Sequence, residues 1–530
     1  GLHPGESTTV KFLWTPTAST DYMLTVTADA DDAVDEGNET NNQVTKDVTA
    51  IEIPQTDLVV TAFHAGNAFA NEPNVLFALI KNSGVDSASF NVSLAVNDEI
   101  KDKAFVPMLY TREIQLVSFD WTPTTTGEKL LCVTVDCDDD VTESDETNNV
   151  MSQTVDVTSI ITENVDDGQS IQSAIDAASS GTKILVTGTH NEHIVIPSTL
   201  SSIRLIANGP DAVIYSDNPG DVIKLEGTDC WVKGFTIHST WYRDDQDDDE
   251  DFANYPGTGI NITSPWNVIE DNYIYNSSSG VNLYSSCNLF RSNTIGDTES
   301  GRDCRRLMII SGDCNEIVKN VFDGNTTRHN WALGGVLNYS ARLKYRVASA
   351  PANCNLLRDN SFNVTGGEGP CILFRGDQNL IFNNYINDIK IHNVELGRLN
   401  WYNVNKVAAE DPACGNIVHG PYLGGNYWTD YTGTDSDGDL LGDTDTPYRD
   451  VDYHPLIIPP SHGLCGDVNN DGGVNVLDAT KVKNRAGDPS YPLDNEWAAD
   501  VNCDGGVNVL DATKVKNRAG DPSYPLSCCT

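Results

Sequence analysis

The sequence is poor in basic residues, and that shortage excludes several classes of function. Its 530 residues hold 33 Lys and Arg against 77 Asp and Glu, which gives a net charge of −44 and a pI near 4.3. A polyanion of this strength repels the phosphates of nucleic acids and of anionic lipids, so we expect neither as a partner. It attracts cations instead, and calcium is the first cation to consider.

Long apolar runs and a leader segment are also missing. No stretch approaches the roughly 20 apolar residues that cross a bilayer, so we expect no membrane span. No basic and apolar leader opens the chain, so we expect any secretion signal to have been removed or to lie upstream. The hydrophobic fraction of 39% allows real cores, and the length predicts three or four domains.

The cysteines and the glycosylation sequons favour an oxidising, extracellular or cell-surface setting. Thirteen cysteines occur without a Cys-x-x-Cys pair, which is a high count for a cytosolic chain. Each Asn-x-Ser/Thr sequon is weak evidence by itself, because the chain is rich in these residues. The candidate glycosylation sites are Asn38, Asn91, Asn261, Asn276, Asn325, Asn338 and Asn363.

Two N-terminal segments are copies of one module. Trp14-Thr-Pro-Thr recurs at Trp121, and Glu39-Thr-Asn-Asn recurs at Glu146, both after 107 residues (121 − 14 and 146 − 39). The runs between these motifs alternate with a period of two, which predicts the strands of a β-sandwich. The order of Trp-Thr-Pro-Thr, an acidic loop and Glu-Thr-Asn-Asn resembles the CARDB adhesion-type module of bacterial and archaeal surface proteins.

The two copies differ in length. We assign the second copy to residues 55–158 and the first to residues 1–50, so the first lacks about its first 50 residues. Such a truncation leaves strand edges unpaired. Either the chain was cut from a longer polypeptide, or another molecule supplies the missing strands and the protein is a polymer subunit.

A short sequence motif, here called the phrase, recurs through the middle of the chain. It contains two asparagines five residues apart. Its copies begin at Asn267, Asn288, Asn315, Asn355 and Asn379. A near-constant phrase with variable spacers is typical of stacked coils with loop insertions. Asparagines at matched turns can form hydrogen-bond ladders between coils, while Ile, Leu and Phe fill the interior. The pattern predicts a parallel β-helix over residues 160–460.

Both ends of this region agree with the prediction. The segment from Ser170 to Ala178 reads as a short amphipathic helix that plugs the first coil. Gly424-Gly-Asn-Tyr-Trp, the acidic run that begins at Asp435, and Asp452-Tyr-His-Pro follow at the other end. This string resembles the carboxyl end of NosD-type right-handed β-helix proteins.

The NosD resemblance also implies copper handling, which the residues do not favour. Copper prefers imidazole or soft sulfur ligands. The chain has four methionines, and the only close histidine pair is His190 and His193, which we expect on a turn. We therefore do not expect copper.

The register of the phrases predicts one disulfide between coils. Cys287, Cys314 and Cys354 each precede the first asparagine of a phrase. Equivalent positions in neighbouring coils lie about 4.8 Å apart, within the Cα separation that a disulfide accepts. We predict Cys287–Cys314 or Cys314–Cys354, although an unbonded column of thiols would pack equally well.

Two nearly identical segments near the carboxyl end have the spacing of calcium loops. Residues 467–493 and 500–526 differ at one position. Each carries oxygen side chains at loop positions 1, 3, 5, 9 and 12, with Gly at position 6 and a backbone carbonyl at position 7, which can wrap a hard cation in oxygen. The predicted ligands are Asp467, Asn469, Asp471, Gly473, Asn475 and Asp478, and then Asp500, Asn502, Asp504, Gly506, Asn508 and Asp511.

A helix is expected after each loop, and none before it, with Asp instead of Glu at position 12. This pattern departs from EF-hands and resembles a type I dockerin over residues 465–526, within a module that we place at 463–530. The resemblance implies Ca²⁺ and a cohesin-like partner, contacted in dockerins at positions that match Lys483, Asn484, Lys516 and Asn517. The alternative is a terminal cap of the chain that calcium stabilises and that binds no partner. Cys465 is a candidate to bond Cys528 or Cys529 and close the module.

Other acidic runs are weaker candidates for cation binding. An Asp-x-Asp-x-Asp loop with a fourth carboxylate is predicted to hold calcium through Asp435, Asp437, Asp439 and Asp443. A solvated turn explains the acidic loops at residues 29–42 and 136–149 as well as calcium does. We expect the run at 244–251 to be a solvated insert, with cation binding as the second interpretation.

We assign no catalytic residue. Parallel β-helices host polysaccharide lyases and hydrolases, but the best clusters, Asp303 with neighbouring arginines and Asp377 with Arg375, match no known signature. The sequence favours an extracellular structural or adhesive surface protein, attached to a cohesin-like domain or to neighbouring copies. The alternative is a secreted polysaccharide-binding or polysaccharide-degrading protein tethered by its dockerin.

Overall fold

Strands dominate the chain, as the sequence predicts. The computed structural model describes the following residues: 3, 5–14, 16–17, 20–38, 40–50, 56–239, 257–277, 279–296, 306–325, 333–337, 352–365, 376–387, 400–409, 416–418, 420–457, 466, 468, 474, 476–487, 491, 493, 499–501, 506–520 and 526. No helix in these ranges is long and apolar enough to cross a membrane.

The first module contributes one antiparallel hairpin. Its strands are β1 (Asp21–Thr27) and β2 (Gln43–Thr49). The hairpin exposes apolar side chains such as Met23 and Val44, because no second sheet covers it among the described residues.

The second module is a β-sandwich. Its strands are β3 (Leu58–His64), β4 (Ala68–Phe69), β5 (Asn74–Asn82), β6 (Ala88–Val96), β7 (Glu99–Leu109), β8 (Ile114–Trp121), β9 (Gly127–Val135) and β10 (Val150–Thr158). They form a sheet of order β4-β10-β9-β6-β7 and a sheet of order β3-β5-β8. Alternate residues such as Phe90, Val92 and Leu94 fill the space between the two sheets.

The middle of the chain winds into a parallel β-helix with three faces. Face 1 contains β11 (Ile161–Val165), β12 (Thr182–Val186), β15 (Arg204–Ala207), β18 (Trp231–Lys233), β21 (Val268–Glu270), β24 (Leu289–Arg291), β27 (Glu316–Val318), β30 (Leu356–Arg358) and β32 (Leu380–Phe382). Face 2 contains β13 (Thr189–Asn191), β16 (Val213–Ser216), β19 (Thr236–Ser239), β22 (Tyr273–Tyr275), β25 (Thr294–Gly296), β28 (Val321–Asn325), β31 (Ser361–Thr365), β33 (Tyr385–Asn387) and β36 (Tyr427–Trp428). Face 3 contains β14 (Ile194–Ile196), β17 (Ile223–Leu225), β20 (Thr258–Ile262), β23 (Ser279–Leu283), β26 (Arg306–Ile310) and β29 (Leu333–Leu337). A short antiparallel pair, β34 (Val407–Ala408) and β35 (Tyr422–Leu423), lies near the last coils.

The interior is built by the central residue of each short strand. On face 1 these residues include Ile269, Phe290 and Ile317, all of them buried. On face 2 the rings of Phe322 and Phe362 stack with centroids 4.8 Å apart. The expectation that apolar positions of the phrase fill the core is confirmed.

Two asparagine ladders run along the β-helix. The first ladder passes through Asn267, Asn288, Asn315, Asn355, Asn379 and Asn400. The second ladder passes through Asn272, Asn293, Asn320, Asn360, Asn384 and Asn426. Each asparagine donates its backbone N–H and its Nδ2 to the Oδ1 of the next, as Asn293 does to Asn320 at 2.9 and 3.1 Å. The predicted ladders are therefore present, one coil longer than the phrases showed.

Helix α1 (Ile171–Ala177) closes the first coil, as predicted. Ser170 caps it by accepting the backbone N–H of Ser173, and the Glu192 carboxylate accepts the N–H of Ile171 at 2.7 Å. Its Ile171 and Ile175 side chains are buried in the core of the β-helix.

The sandwich packs along face 1, which the sequence did not predict. Phe77 and Leu116 lie in an apolar cluster with Trp231, Val268 and Leu289 of that face. A second cluster, at the far end of the contact, joins Met108 of the sandwich to five apolar residues of the last coils: Leu356, Leu380, Phe382, Val404 and Leu423.

Charged side chains border the same contact. The Arg204 guanidinium donates to Asn74 Oδ1 at 2.6 Å, and Arg291 makes a two-pronged ion pair with Asp120 at 2.8 and 3.0 Å. The sandwich therefore packs against one face of the β-helix and shields it from solvent.

The described part of the last module contains two helices. Helices α2 (Val476–Gly487) and α3 (Val509–Gly520) follow the two predicted calcium loops, as expected. They share a small core with matching residues, Val482 and Val515, from the two repeats.

Candidate metal centres

The Asp435–Asp443 loop gathers carboxylates on the outside of the last coils. Asp435, Asp437 and Asp443 can each place one oxygen within 4.8 Å of the other two. Asp439, the fourth predicted ligand, is not in this group, and its carboxylate pairs with the Lys406 ammonium. Three of the four predicted residues therefore converge, and the fourth is neutralised by a lysine.

Backbone N–H groups shape this loop. Asp435 accepts the N–H of Gly438 at 2.7 Å and that of Leu440 at 2.9 Å. Burial opposes ionisation here, but these hydrogen bonds outweigh it and lower the pKa of Asp435 below its usual value. The loop thus holds an ionised carboxylate beside two others, which is an arrangement of hard oxygen donors that suits calcium.

The position-12 carboxylates of the two repeats occupy equivalent places. Asp478 and Asp511 are fully buried. Asp478 Oδ1 accepts the N–H of Val468 at 3.0 Å, and Asp511 Oδ1 accepts the N–H of Val501 at 3.1 Å. Each carboxylate therefore ties the start of its helix to the start of its own loop, ten residues earlier.

The second loop is described on its carboxyl side. Asn508 Oδ1 accepts the N–H of Leu510 at 2.8 Å, and the Asp511 carboxylate accepts the N–H of Asn508, also at 2.8 Å. The loop therefore turns into α3 with oxygen side chains at its end. The Gly506 carbonyl accepts the Asn508 Nδ2 at 3.1 Å, and Asp500 is half-buried. The other predicted ligands lie outside the described residues: Asp467, Asn469, Asp471, Gly473, Asn475, Asn502 and Asp504.

The predicted partner contacts lie on the outer surface of the two helices. Lys483, Asn484, Lys516 and Asn517 are all exposed. Equivalent residues of the two repeats thus present the same polar pairs to solvent. The cysteines proposed to close this module, Cys465, Cys528 and Cys529, lie outside the described residues.

The predicted disulfide between coils is not formed. Cys287, Cys314 and Cys354 are free thiols at equivalent left-handed turns, with φ of 59°, 52° and 57°. The Cys314 thiol hydrogen-bonds to that of Cys354, and this bond together with burial raises the pKa of Cys314. The column was predicted correctly, but its sulfur atoms pack as thiols beneath the sandwich.

The asparagines of the sequons differ in the exposure and the hydrogen bonding of their side-chain amides. Asn38 is exposed, and its Oδ1 accepts the Thr40 hydroxyl at 2.7 Å. The amide nitrogens of Asn91 and Asn261 instead donate to Asp138 and Asp221. Asn276 is half-buried, the side chains of Asn325 and Asn363 are not described, and Asn338 lies outside the described residues. Asn38 is therefore the best-placed glycosylation candidate of the described set.

The weak catalytic clusters are mostly undescribed. Asp303 and Arg375 lie outside the described residues, and Asp377 donates its backbone N–H to Asn353. The sequence missed Asp452, whose buried carboxylate accepts the N–H of Asn426 at 2.8 Å and so ends the second ladder. Its place in the Asp-Tyr-His-Pro string was the available signal.

Three family models match the chain. The model of the CARDB family matches residues 1–46 and 55–153, and that of the dockerin type I domain matches residues 465–518. The model described as periplasmic copper-binding protein (NosD) matches residues 147–433. These matches confirm the predicted combination of modules.

Solved structures resemble single modules. The CARDB domain of a Pyrococcus furiosus protein, solved in complex with di-metal ions, is 27% identical with a TM-score of 0.19, and the match covers 21% of this chain and 99% of that one. A domain of a protein assigned to the cell surface of Methanosarcina acetivorans is 32% identical with a TM-score of 0.19, covering 19% and 92%. Pectin methylesterase PemA from Erwinia chrysanthemi is 12% identical with a TM-score of 0.22, covering 39% and 80%. No curated protein sequence matches the chain significantly.

Copper does not fit the predicted histidine pair, His190 and His193. His190 lies on β13, not on a turn, and its two ring nitrogens face the carbonyl oxygens of Gln169 and Thr187 at 3.0 and 2.9 Å. His193 contacts the carbonyl of Asp221 and the hydroxyl of Ser216. All four nitrogens are engaged within the fold, so neither ring offers a ligand atom, and we derive no chemistry through copper.

Proposed function

The chain belongs to the NosD family, and from that premise we propose that it is an extracellular structural or adhesive protein stabilised by calcium. The β-helix serves as a rigid rod, the CARDB modules stiffen and extend it, and the dockerin module attaches it to a partner. The proposal places the metal in the two dockerin loops and in the Asp435–Asp443 loop.

The observation that carries the proposal is the matched burial of Asp478 and Asp511. A buried carboxylate is costly unless hydrogen bonds or a cation neutralise it. Each of these residues accepts a backbone N–H from the start of its own loop, and each sits at the position where a calcium loop places its last ligand. Two copies of this arrangement in one small module support calcium binding as the source of its stability.

The partner that we propose is a cohesin-like domain. Dockerin type I domains typically bind cohesins, and the exposed pairs Lys483–Asn484 and Lys516–Asn517 lie where dockerins make that contact. Because the two repeats present equivalent residues, the module could bind in two orientations related by 180°. Neighbouring copies of the chain are the second candidate partner.

A carbohydrate-related role is the alternative function. A β-helix can hold a polysaccharide along its surface, and an open cleft at the carboxyl end of the rod, described below, favours this reading. In that case the dockerin would tether a polysaccharide-binding or polysaccharide-degrading rod.

Calorimetric unfolding of the full chain tests the calcium proposal. We expect millimolar calcium to raise the melting temperature of at least one transition, because a ligand that binds only the folded state stabilises it by mass action. The double variant Asp478→Asn and Asp511→Asn replaces the position-12 carboxylate of both loops with a neutral amide, which binds calcium more weakly, and it should lose most of that shift.

The matched control is Asp217→Asn, an exposed carboxylate on the β-helix far from both loops. It should keep the full calcium response. A wild-type melting curve that is the same in calcium and in chelator would refute the proposal.

A further inference from the structure

An open cleft of about 640 Å³ lies where the sandwich meets the last coils of the β-helix. The sandwich contributes Tyr110 to its lining. The last coil contributes Asn400, Trp401, Asn403 and Asn405, and the final segment contributes Asp450, Val451, Tyr453 and His454. Its volume falls within the roughly 300–1,000 Å³ typical of small-molecule sites.

The aromatic wall of the cleft is fixed in place. The rings of Tyr110 and Trp401 stack with centroids 4.3 Å apart and planes 11° apart. The Tyr110 hydroxyl also donates to the carbonyl of Asn403 at 3.4 Å. Rigid aromatic rings provide large contact area at a low cost in conformational entropy. Tyr453, which is 58% exposed, adds a third ring at the rim.

Several polar groups in the cleft have no hydrogen-bond partner in the described part of the chain. The Asn405 side chain has only a 4.0 Å contact to the sulfur of Met108. No bond within the described chain engages the indole N–H of Trp401, the hydroxyl of Tyr453 or the ring nitrogens of His454. Donors and acceptors that face an open aromatic cleft suit a ligand that is rich in hydroxyl groups.

The charge of the cleft selects among such ligands. None of the nine lining residues is Lys or Arg, and Asp450 adds an exposed carboxylate. Burial lowers the pKa of His454, which favours its neutral imidazole. With a net charge of −44 on the chain, an anionic sugar would be repelled and would meet no cation in the cleft.

We propose that this cleft is a binding subsite for a neutral saccharide unit and discriminates against uronic acids. The inference deepens the carbohydrate-related alternative under the proposed function. It is independent of calcium in the dockerin loops, because none of the lining residues belongs to that module.

Isothermal titration of the full chain, in calcium, with uncharged hexasaccharides tests the proposal. The probes are β-1,4-linked oligomers of glucose, mannose and N-acetylglucosamine, with hexagalacturonate as the anionic comparison. We expect at least one neutral probe to bind at least tenfold more tightly than hexagalacturonate. Tyr453→Ala and Asn405→Ala should each weaken that binding about tenfold or more, and both residues are exposed, so the fold should survive.

The matched control is Tyr284→Ala, an aromatic residue that is 48% exposed and lies outside the cleft. It should bind like the wild type. The proposal is overturned if no neutral probe binds at millimolar concentration, if hexagalacturonate binds as tightly, or if the cleft variants bind unchanged. The calcium variants Asp478→Asn and Asp511→Asn should leave this binding intact, so failure of the calcium proposal and failure of the saccharide proposal give different results.

Discussion

Asp452 is a carboxyl group at the end of a row of amides. It is fully buried, and it accepts the N–H of Asn426, the indole N–H of Trp428 and the N–H of His454 at 2.8, 2.8 and 3.0 Å. Burial raises the pKa of Asp452 to about 7, although these hydrogen bonds act in the opposite direction. The last ladder position thus holds a group that titrates near neutral pH.

This titration makes the stability of the β-helix depend on pH. The folded-state pKa of Asp452, about 7, lies above the ordinary value of 3.8, so the folded chain holds a proton that the unfolded chain releases. The resulting stability is present below about pH 4, is lost as pH rises through 7, and amounts to at most about 4 kcal/mol. The free energy of unfolding in urea, measured between pH 4.5 and 8, should fall with rising pH in the wild type. Asp452→Asn should lose the part of this fall that Asp452 causes.

The control for Asp452→Asn is an exposed carboxylate nearby. Asp450→Asn removes an exposed carboxyl group two residues away and should keep the wild-type pH slope. Parallel pH profiles for the wild type and Asp452→Asn would contradict the assignment.

At the scale of the element, the second ladder is a continuous chain of buried amides. Asn320 is 1% exposed, and its Nδ2 donates to Asn360 Oδ1 and to the carbonyl of Phe290 at 3.1 and 2.8 Å. Its Oδ1 accepts both donors of Asn293. Each amide therefore links three successive coils, and its loss leaves buried groups on both sides unpaired.

Asn320→Ala should therefore destabilise the β-helix by about 2–4 kcal/mol, because at least one buried backbone N–H and several side-chain groups lose their partners. Chemical unfolding followed by circular dichroism measures this change. Asn191→Ala, on the exposed side of β13, is the matched control and should change stability by less than about 0.5 kcal/mol. Equal effects of the two substitutions would show that the ladder is not a source of stability.

The repeated phrase predicted the coils, the ladders and the cysteine column, because the inward positions and the turn asparagines follow a fixed spacing. It did not predict Asn400 and Asn426, because their coils replace the phrase with Asn-Trp-Tyr and Gly-Gly-Asn. The contact of the sandwich with face 1 also had a signal in the sequence. The residue after the first asparagine points outward, yet it is apolar in four of the five phrases, as Val268, Leu289, Leu356 and Leu380, whereas an exposed position would be polar.

At the scale of the whole molecule, the sandwich and the β-helix form one packed unit. Phe77 and Leu116 belong to the cluster between the two domains and not to the core of the sandwich. The same cluster buries Cys287 and Cys314, which are 8% and 9% exposed. The sandwich thus shields the thiol column, and burial raises the pKa of Cys287 to about 12.

Undocking the sandwich should make these thiols reactive. Leu116→Glu places a carboxylate in the apolar contact, which should separate the domains while leaving the sandwich core intact. In reduced full-length protein, we expect alkylation of Cys287 and Cys314 to accelerate at least tenfold, measured by peptide mass spectrometry.

Ile100→Glu, at a sandwich position that is 61% exposed, is the matched control and should leave both rates unchanged. Cys132, a half-buried thiol in the sandwich, reports whether that domain itself unfolds, since its rate should stay constant in both variants. Unchanged alkylation of the thiol column in Leu116→Glu would mean that the docked sandwich does not shield it.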